Sequence, residues 1–218
     1  MEQIDKPKFP KHLDHLNKTF LEELNYKLWV TKGARFKADE RLTKKDELSS
    51  ISISFLTAYL IIFGLIGVYQ SATAPFIATN IINFGTTAGS ILILIFSQLE
   101  SAKCYKLEAH KYLVCALEIS ALYDQIRMRK TLIIENKNSD YEFCKEIDSK
   151  YNYLLNKYPN HKSVDYEMFM LEKCSFFPVS NFQKKWLPIK HYVKTSALYY
   201  GLIVIPPISL IIYYLIKW

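Results

Sequence analysis

Residues 48–99 read LSSISISFLTAYLIIFGLIGVYQSATAPFIATNIINFGTTAGSILILIFSQL, 52 consecutive positions without an Asp, Glu, Lys, Arg or His. A run of roughly 18 or more uncharged, mainly apolar residues is what a bilayer span requires. At about 1.5 Å rise per residue this run far exceeds one hydrocarbon core of about 30 Å, so it must fold back on itself. Gln70-Ser71-Ala72-Thr73-Ala74-Pro75 breaks the Ile, Leu and Phe pattern with small polar residues and a proline. That proline disfavours helix in the residue before it. The reading is a helical hairpin: helix one over residues 51–69, helix two over 76–98.

Outward from the hairpin, a second uncharged block runs from Thr195 to Ile216. It is long enough to cross, with Tyr199-Tyr200, Tyr213-Tyr214 and Trp218 where interfacial aromatic belts belong. Pro206-Pro207 lies in its middle. Proline removes a backbone donor, and in lipid the freed carbonyl needs another partner, which predicts a kinked helix packed on the hairpin. A re-entrant or surface-lying segment is the other reading of this block.

The 218 residues are half hydrophobic and carry a net charge of +7. Residues 1–50 hold 11 Lys or Arg, residues 100–194 hold 16, the hairpin turn none, and only Lys217 follows the third block. The positive-inside rule then predicts four parts. These are a cytoplasmic N-terminal helical arm over 1–47, the hairpin over 48–99, a cytoplasmic stem and helical region over 100–194, and a C-terminal span over 195–218. The predicted location is the inner (plasma) membrane, multi-pass, with a cytoplasmic N-terminus. Helix one serves as its own insertion signal. Beyond Glu172 there is no acidic residue, while Lys184, Lys185, Lys190 and Lys194 surround Trp186 on the approach to the third span. Anionic lipid headgroups are the expected partner of that stretch, and direct nucleic-acid binding is not expected.

The segment after helix two is strongly periodic. Ala102, Tyr105, Ala109, Tyr112, Ala116, Ile119, Tyr123, Ile126 and Ile133 follow spacings of three and four, broken only by Lys130. No glycine or proline separates them from Gln98, so helix two is expected to continue out of the bilayer as a rigid stem of about 35 residues. A second stripe, Leu107, Val114, Leu117 and Ala121, lies on another face. An intramolecular bundle and a self-associating bundle through Tyr105, Tyr112, Ile119 and Tyr123 are both open. Further helices are expected over 141–158 and near 164–174, with a loop over 136–139. Another is expected in the N-terminal arm through Leu13, Leu16, Phe20, Leu24 and Leu28, interrupted by Gly33. The fold class is all-α: an integral membrane hairpin, a third C-terminal span and a cytoplasmic helical bundle.

Catalytic chemistry finds little purchase. Cys104, Cys115, Cys144 and Cys174 form no paired metal spacing and fall where thiols stay reduced. His12 and His15 flank Asp14, but two imidazoles do not make a zinc site. The six glycines form no phosphate loop and no nucleophile elbow appears. The chain is expected to be a non-enzyme, without cofactor or metal.

Polarity inside the bilayer is the feature that calls for an explanation. Asn80, Asn83, Thr87, Ser90 and Ser97, with the apolar Leu94 completing the series, recur at three- and four-residue spacings along one face of helix two, with a weaker counterpart in Ser50, Ser54, Thr57, Gly64 and Ser71 of helix one and the turn. Unpaired polar groups in hydrocarbon cost a few kcal/mol each, so this face must meet protein or water. Gly85-Thr86-Thr87-Ala88-Gly89 is a small-xxx-small motif. Helix packing within a monomer and a pore lined by several copies are both consistent with the stripe.

The order of features adds a resemblance. An arm with Trp29, Arg35, Arg41 and Leu42 leads into an uncharged hairpin and a stem with Ala109-His110 and Leu122-Tyr123 ending in Arg127. Over about residues 20–135 this resembles the SLATT family, two-transmembrane effector domains of prokaryotic nucleotide-signalling and anti-phage conflict systems. The resemblance implies a homo-oligomeric pore-forming or membrane-perturbing effector that arrests growth or kills the cell (abortive infection) when a partner senses invasion. That partner would be a nucleotidyltransferase or a reverse transcriptase encoded nearby. The third span lies outside the minimal two-helix description and is similar to the extension of the reverse-transcriptase-linked group. A membrane-anchored adaptor that binds a partner protein without forming a pore is the alternative.

Overall fold

The computed structural model describes residues 18–70, 75, 77–131 and 137–217. His12, His15, most of the hairpin turn, Ile133 and Trp218 lie outside the described residues. Every element is helical: α1 (Phe20–Tyr69), α2 (Thr79–Ser101), α3 (Tyr105–Thr131), α4 (Lys137–Lys157), α5 (Ser163–Glu172), α6 (Asn181–Tyr192), a π-helical turn (Val193–Ala197) and α7 (Leu198–Lys217). Helices α1, α2 and α7 each contain a stretch long and apolar enough to cross a membrane. Only 6% of each such stretch is buried within the chain, so the apolar surface has no protein to hide it from water.

Helix α1 starts at a capping box. The Glu22 carboxylate accepts the Thr19 N–H at 2.9 Å, and the Thr19 hydroxyl accepts the Glu22 N–H. From there it runs 50 residues without interruption, through Gly33, where a break was expected. A Cβ built on Gly33 would lie 2.1 Å from Phe169 Cε2. The glycine is therefore a seat for the Phe169 ring rather than a stop signal. Its propensity cost of about 1 kcal/mol is smaller than the gain from burying a phenylalanine.

The expected continuous stem is also corrected. The helix ends at Ser101, turns through residues 102–104 with Cys104 at φ 46°, and restarts at Tyr105. A non-glycine residue in the left-handed region costs about 1–2 kcal/mol. Contacts made by Glu100, described below, offset that strain. The expected loop over 136–139 is mostly helix, because α4 already begins at Lys137.

The chain forms two compact units. One comprises residues up to 39 with 110–178, the other residues 40–109 with 179–218. In the first unit Leu24 and Leu28 of α1 meet Cys115, Ile119, Leu122 and Ile126 of α3 and Ile147, Tyr151 and Leu154 of α4. The buried Thr31 and Tyr151 hydroxyls hydrogen-bond at 2.8 Å. Trp29 stacks on Phe177 with ring centroids 5.8 Å apart and meets Phe169 edge-on at 5.1 Å. Tyr112 and Ile119 are buried here inside a single chain. Tyr123 packs beside the core under the Lys32 ammonium. Within the single chain the periodic stripe of α3 packs intramolecularly, with Tyr112 and Ile119 buried in that packing.

Candidate functional site

In the second unit, the hairpin seam is built on glycine. A Cβ on Gly85 would lie 2.8 Å from Phe63 Cε1, one on Gly89 2.8 Å from Leu60 Cδ1, and one on Gly67 2.9 Å from Ile82 Cγ2. The small-xxx-small motif thus lets α2 approach α1 within one chain. Across the turn, Gln70 Oε1 accepts the Ile77 N–H at 3.2 Å.

Helix α7 covers one side of this hairpin. An apolar cleft of about 580 Å³ is lined by Leu56, Tyr59 and Phe63 of α1, Gly89, Leu92 and Phe96 of α2, and Leu202, Pro206 and Leu210 of α7. The Tyr59 hydroxyl donates to the Ile203 carbonyl at 2.9 Å. Pro206 and Pro207 remove the helical donors of the carbonyls four residues earlier, Leu202 and Ile203, and the second of these is the one Tyr59 reaches. The expected docking of the proline-bearing helix on the hairpin is therefore present, and this hydroxyl meets one of the freed groups. Ser209 Oγ donates to the Pro206 carbonyl at 2.7 Å.

The opposite side of the hairpin is polar and uncovered. At 3.6 residues per turn, the α2 stripe lies about 150° round the helix from Gly85 and Gly89, away from α7. Asn80, Asn83, Thr87 and Ser90 are exposed in the chain and Ser97 is half-buried. On α1, Ser54 and Thr57 are also exposed, roughly opposite Tyr59. The polar residues of both helices thus share one face.

Their hydrogen bonds divide them into two kinds. Thr87 Oγ1 donates to the Asn83 carbonyl, Ser90 Oγ to Thr86, Ser54 Oγ to Ser50 and Thr57 Oγ1 to Ile53, each within 2.7–2.9 Å. These hydroxyls are satisfied by their own helix and would cost little if they faced lipid. Asn80 Oδ1 accepts the Ile81 N–H of the first turn at 2.9 Å. The Asn83 carboxamide is different: among the described residues it has no hydrogen-bond partner. Within the stripe, the side-chain groups that need a partner from outside the helix are the Asn83 carboxamide and the remaining amide donors of Asn80.

Tyr105 of the predicted stem set is half-buried near the end of α2, and Lys184, Lys185, Trp186, Lys190 and Lys194 lie on α6 and the π-helical turn. At about 1.5 Å per residue, Lys190 and Lys194 stand within about 12 Å of Leu198 along the helix, and Lys184 about 20 Å away. Phe182, Trp186, Ile189 and Val193 form an exposed apolar stripe on the same stretch. Among the described residues no group of three or more His, Cys, Asp or Glu is placed to hold a metal. Burial raises the Cys115 thiol above its ordinary pKa.

The sequence pattern missed Tyr59 and Glu100. Pro207 marks Ile203 as an acceptor in need, which points toward a hydroxyl on a neighbouring span. Glu100, the first ionisable residue after the long uncharged run, is only 5% exposed.

No curated protein and no solved structure matches the chain. A family pattern does, over residues 17–214. The match takes in α7, so the third apolar helix falls inside the family's domain rather than being appended to it. The chain is a membrane protein and belongs to the SMODS and SLOG-associating 2TM effector domain family 5, a SLATT family.

Proposed function

We propose that several copies of this chain assemble in the bacterial inner membrane with the polar hairpin face turned toward a common axis, forming a leak for small ions when a partner triggers it. One observation carries this reading: Asn83, a carboxamide without a partner, sits on the uncovered face of an apolar helix. In lipid it would be left unpaired, whereas a second copy or a water-filled path would satisfy it. Helix α7, on the other side, braces the hairpin and leaves the polar face free. The activity is non-enzymatic, needs no cofactor, and arrests or kills an infected cell. The triggering partner is a nucleotidyltransferase or reverse transcriptase encoded nearby. The N-terminus and the α6 lysines are cytoplasmic, with Lys190 and Lys194 at anionic headgroups.

The test is membrane potential in cells expressing the chain with its activated partner. Collapse is expected with the wild type and not with Asn83→Leu, which should still insert. Toxicity at unchanged potential would overturn the reading.

The adaptor alternative draws on a different observation, the exposed Phe182, Trp186, Ile189 and Val193 stripe. Its flanking lysines favour an acidic protein partner. In that case Asn83→Leu leaves toxicity intact and Trp186→Ser abolishes it.

A further inference from the structure

At one end of the three apolar helices lies a second polar cluster. The Tyr199 hydroxyl of α7 donates to Glu100 Oε2 at the end of α2, 2.8 Å away, and lies 3.5 Å from the Tyr105 hydroxyl at the start of α3. Lys103 pairs with the other carboxylate oxygen. Glu100 and Tyr199 are 5% and 3% exposed, and Ser49, Ser52 and Ser196 are buried as well. Thr195 Oγ1 is buried without a partner.

Two irregular backbones adjoin the residues of this cluster in the sequence, one near Glu100 and the other near Tyr199. The α2–α3 connection holds Cys104 at φ 46°, directly between Lys103 and Tyr105. Between α6 and α7, residues 193–197 form the π-helical turn that leads into Tyr199. Such turns are rare and cluster at functional sites, and strained residues persist only where neighbouring contacts hold them. Beside them a cavity of about 460 Å³ is lined by Asp46, Ser50, Ser97, Glu100 and Tyr105. Ser50 and Ser97 belong to the polar face, so this cavity opens at its end.

We propose that the Glu100–Tyr199 contact is an autoinhibitory latch that holds the third span and the first turn of α3 against the mouth of the polar face. The proposal rests on the pore reading and adds its regulation. Physical chemistry sets the direction. The Glu100 carboxylate oxygen that loses the Tyr199 donor must be rehydrated, so the unlatched state is the one that draws water into the cavity. Movement of α3 reaches the latch through Tyr105, and the strained turn at Cys104 favours release.

The test uses the full chain in phosphatidylethanolamine–phosphatidylglycerol liposomes, with ion flux and amide hydrogen exchange read on the same samples. Tyr199→Phe should leak about tenfold faster than wild type without any partner, the bias expected from losing one buried hydrogen bond. It should also speed exchange over residues 102–105 and 193–199. Glu100→Gln keeps an acceptor for Tyr199 but loses the Lys103 charge partner, and should leak less than Glu100→Met. Glu100→Met removes the acceptor with Tyr199 intact, and repeats the test should Tyr199→Phe fail to fold. Adding Asn83→Leu to Tyr199→Phe should silence the leak while exchange stays fast. Wild-type flux and exchange in both Tyr199→Phe and Glu100→Met would overturn the latch and leave the pore reading standing. Fast exchange without flux, or flux that Asn83→Leu does not reduce, would instead overturn the pore reading.

Discussion

The Tyr59 hydroxyl donates to the Ile203 carbonyl at 2.9 Å, and that carbonyl is the one Pro207 leaves without its helical partner. A single phenol on the first span thereby meets one of the two carbonyls that the prolines of the third leave free. In hydrocarbon no water can take its place.

Tyr59→Phe should therefore destabilise the packing of α7 on the hairpin by about 1–3 kcal/mol, the usual cost of orphaning a buried polar group. Restoring the helical donor with Pro207→Ala should remove most of that penalty. A double-mutant cycle on thermal unfolding in bicelles measures it. Equal Tyr59→Phe losses in both backgrounds would show that the hydroxyl acts through something other than this carbonyl.

Gly33→Ala sets helix propensity against packing. Alanine improves an exposed helix position by about 1 kcal/mol over glycine. Here, however, the new Cβ would fall 2.1–2.6 Å from three atoms of the Phe169 ring. That ring is 4% exposed and held by Trp29 and Phe177. Overpacking of this kind costs about 1–3 kcal/mol, so a net loss is expected in chemical denaturation. Combining it with Phe169→Leu, which removes the obstructing ring edge, should recover part of the loss relative to Phe169→Leu alone.

These two sites mark where the sequence was legible. Hydropathy alone places the spans, because lipid selects residue by residue: helix two was expected over 76–98 and runs Thr79–Ser101, and helix one ends at Tyr69 as expected. Local pattern does not show what a distant residue does. Gly33 reads as a breaker until Phe169, 136 positions later, claims the space above it. Nothing near Cys104 announces a helix break. The contact that accompanies it joins residues 99 apart in sequence. The polar stripe was legible as a stripe, but residue type could not tell the self-bonded Thr87 and Ser90 from the unpartnered Asn83.

That difference predicts a graded mutational series. Thr87→Val and Ser90→Ala remove hydroxyls that bond only to their own helix. They should change membrane insertion and partner-triggered toxicity by less than about twofold, because such back-bonds contribute little and sometimes strain the helix. Asn83→Leu should improve insertion, since Leu is favoured and polar residues disfavoured at span centres, while abolishing the toxic leak. A toxic leak lost equally on Thr87→Val would assign the function to the hydroxyls instead. Insertion efficiency in a glycosylation-mapping assay, read beside a potential-sensitive dye, separates the two effects.

A pH dependence follows from His161. Its imidazole is held below the ordinary histidine pKa, first by burial and then by the charge of Arg35, with Asp165 opposing. Its Nδ1 and the Nε and Nη1 of Arg35, itself 1% exposed, are buried without hydrogen-bond partners. Because the folded value lies below the unfolded one, the unfolded chain binds the proton first as pH drops. Stability of the first unit is therefore full above about pH 6.5 and declines as acidification passes below that value. His161→Gln cannot take the proton, so its denaturation midpoint should be flatter than wild type between pH 7.5 and 5.5, a window above the titration of ordinary carboxylates. Modification of the buried Cys115 thiol during unfolding reports on this core directly. Parallel wild-type and His161→Gln profiles would place the acid sensitivity on another histidine.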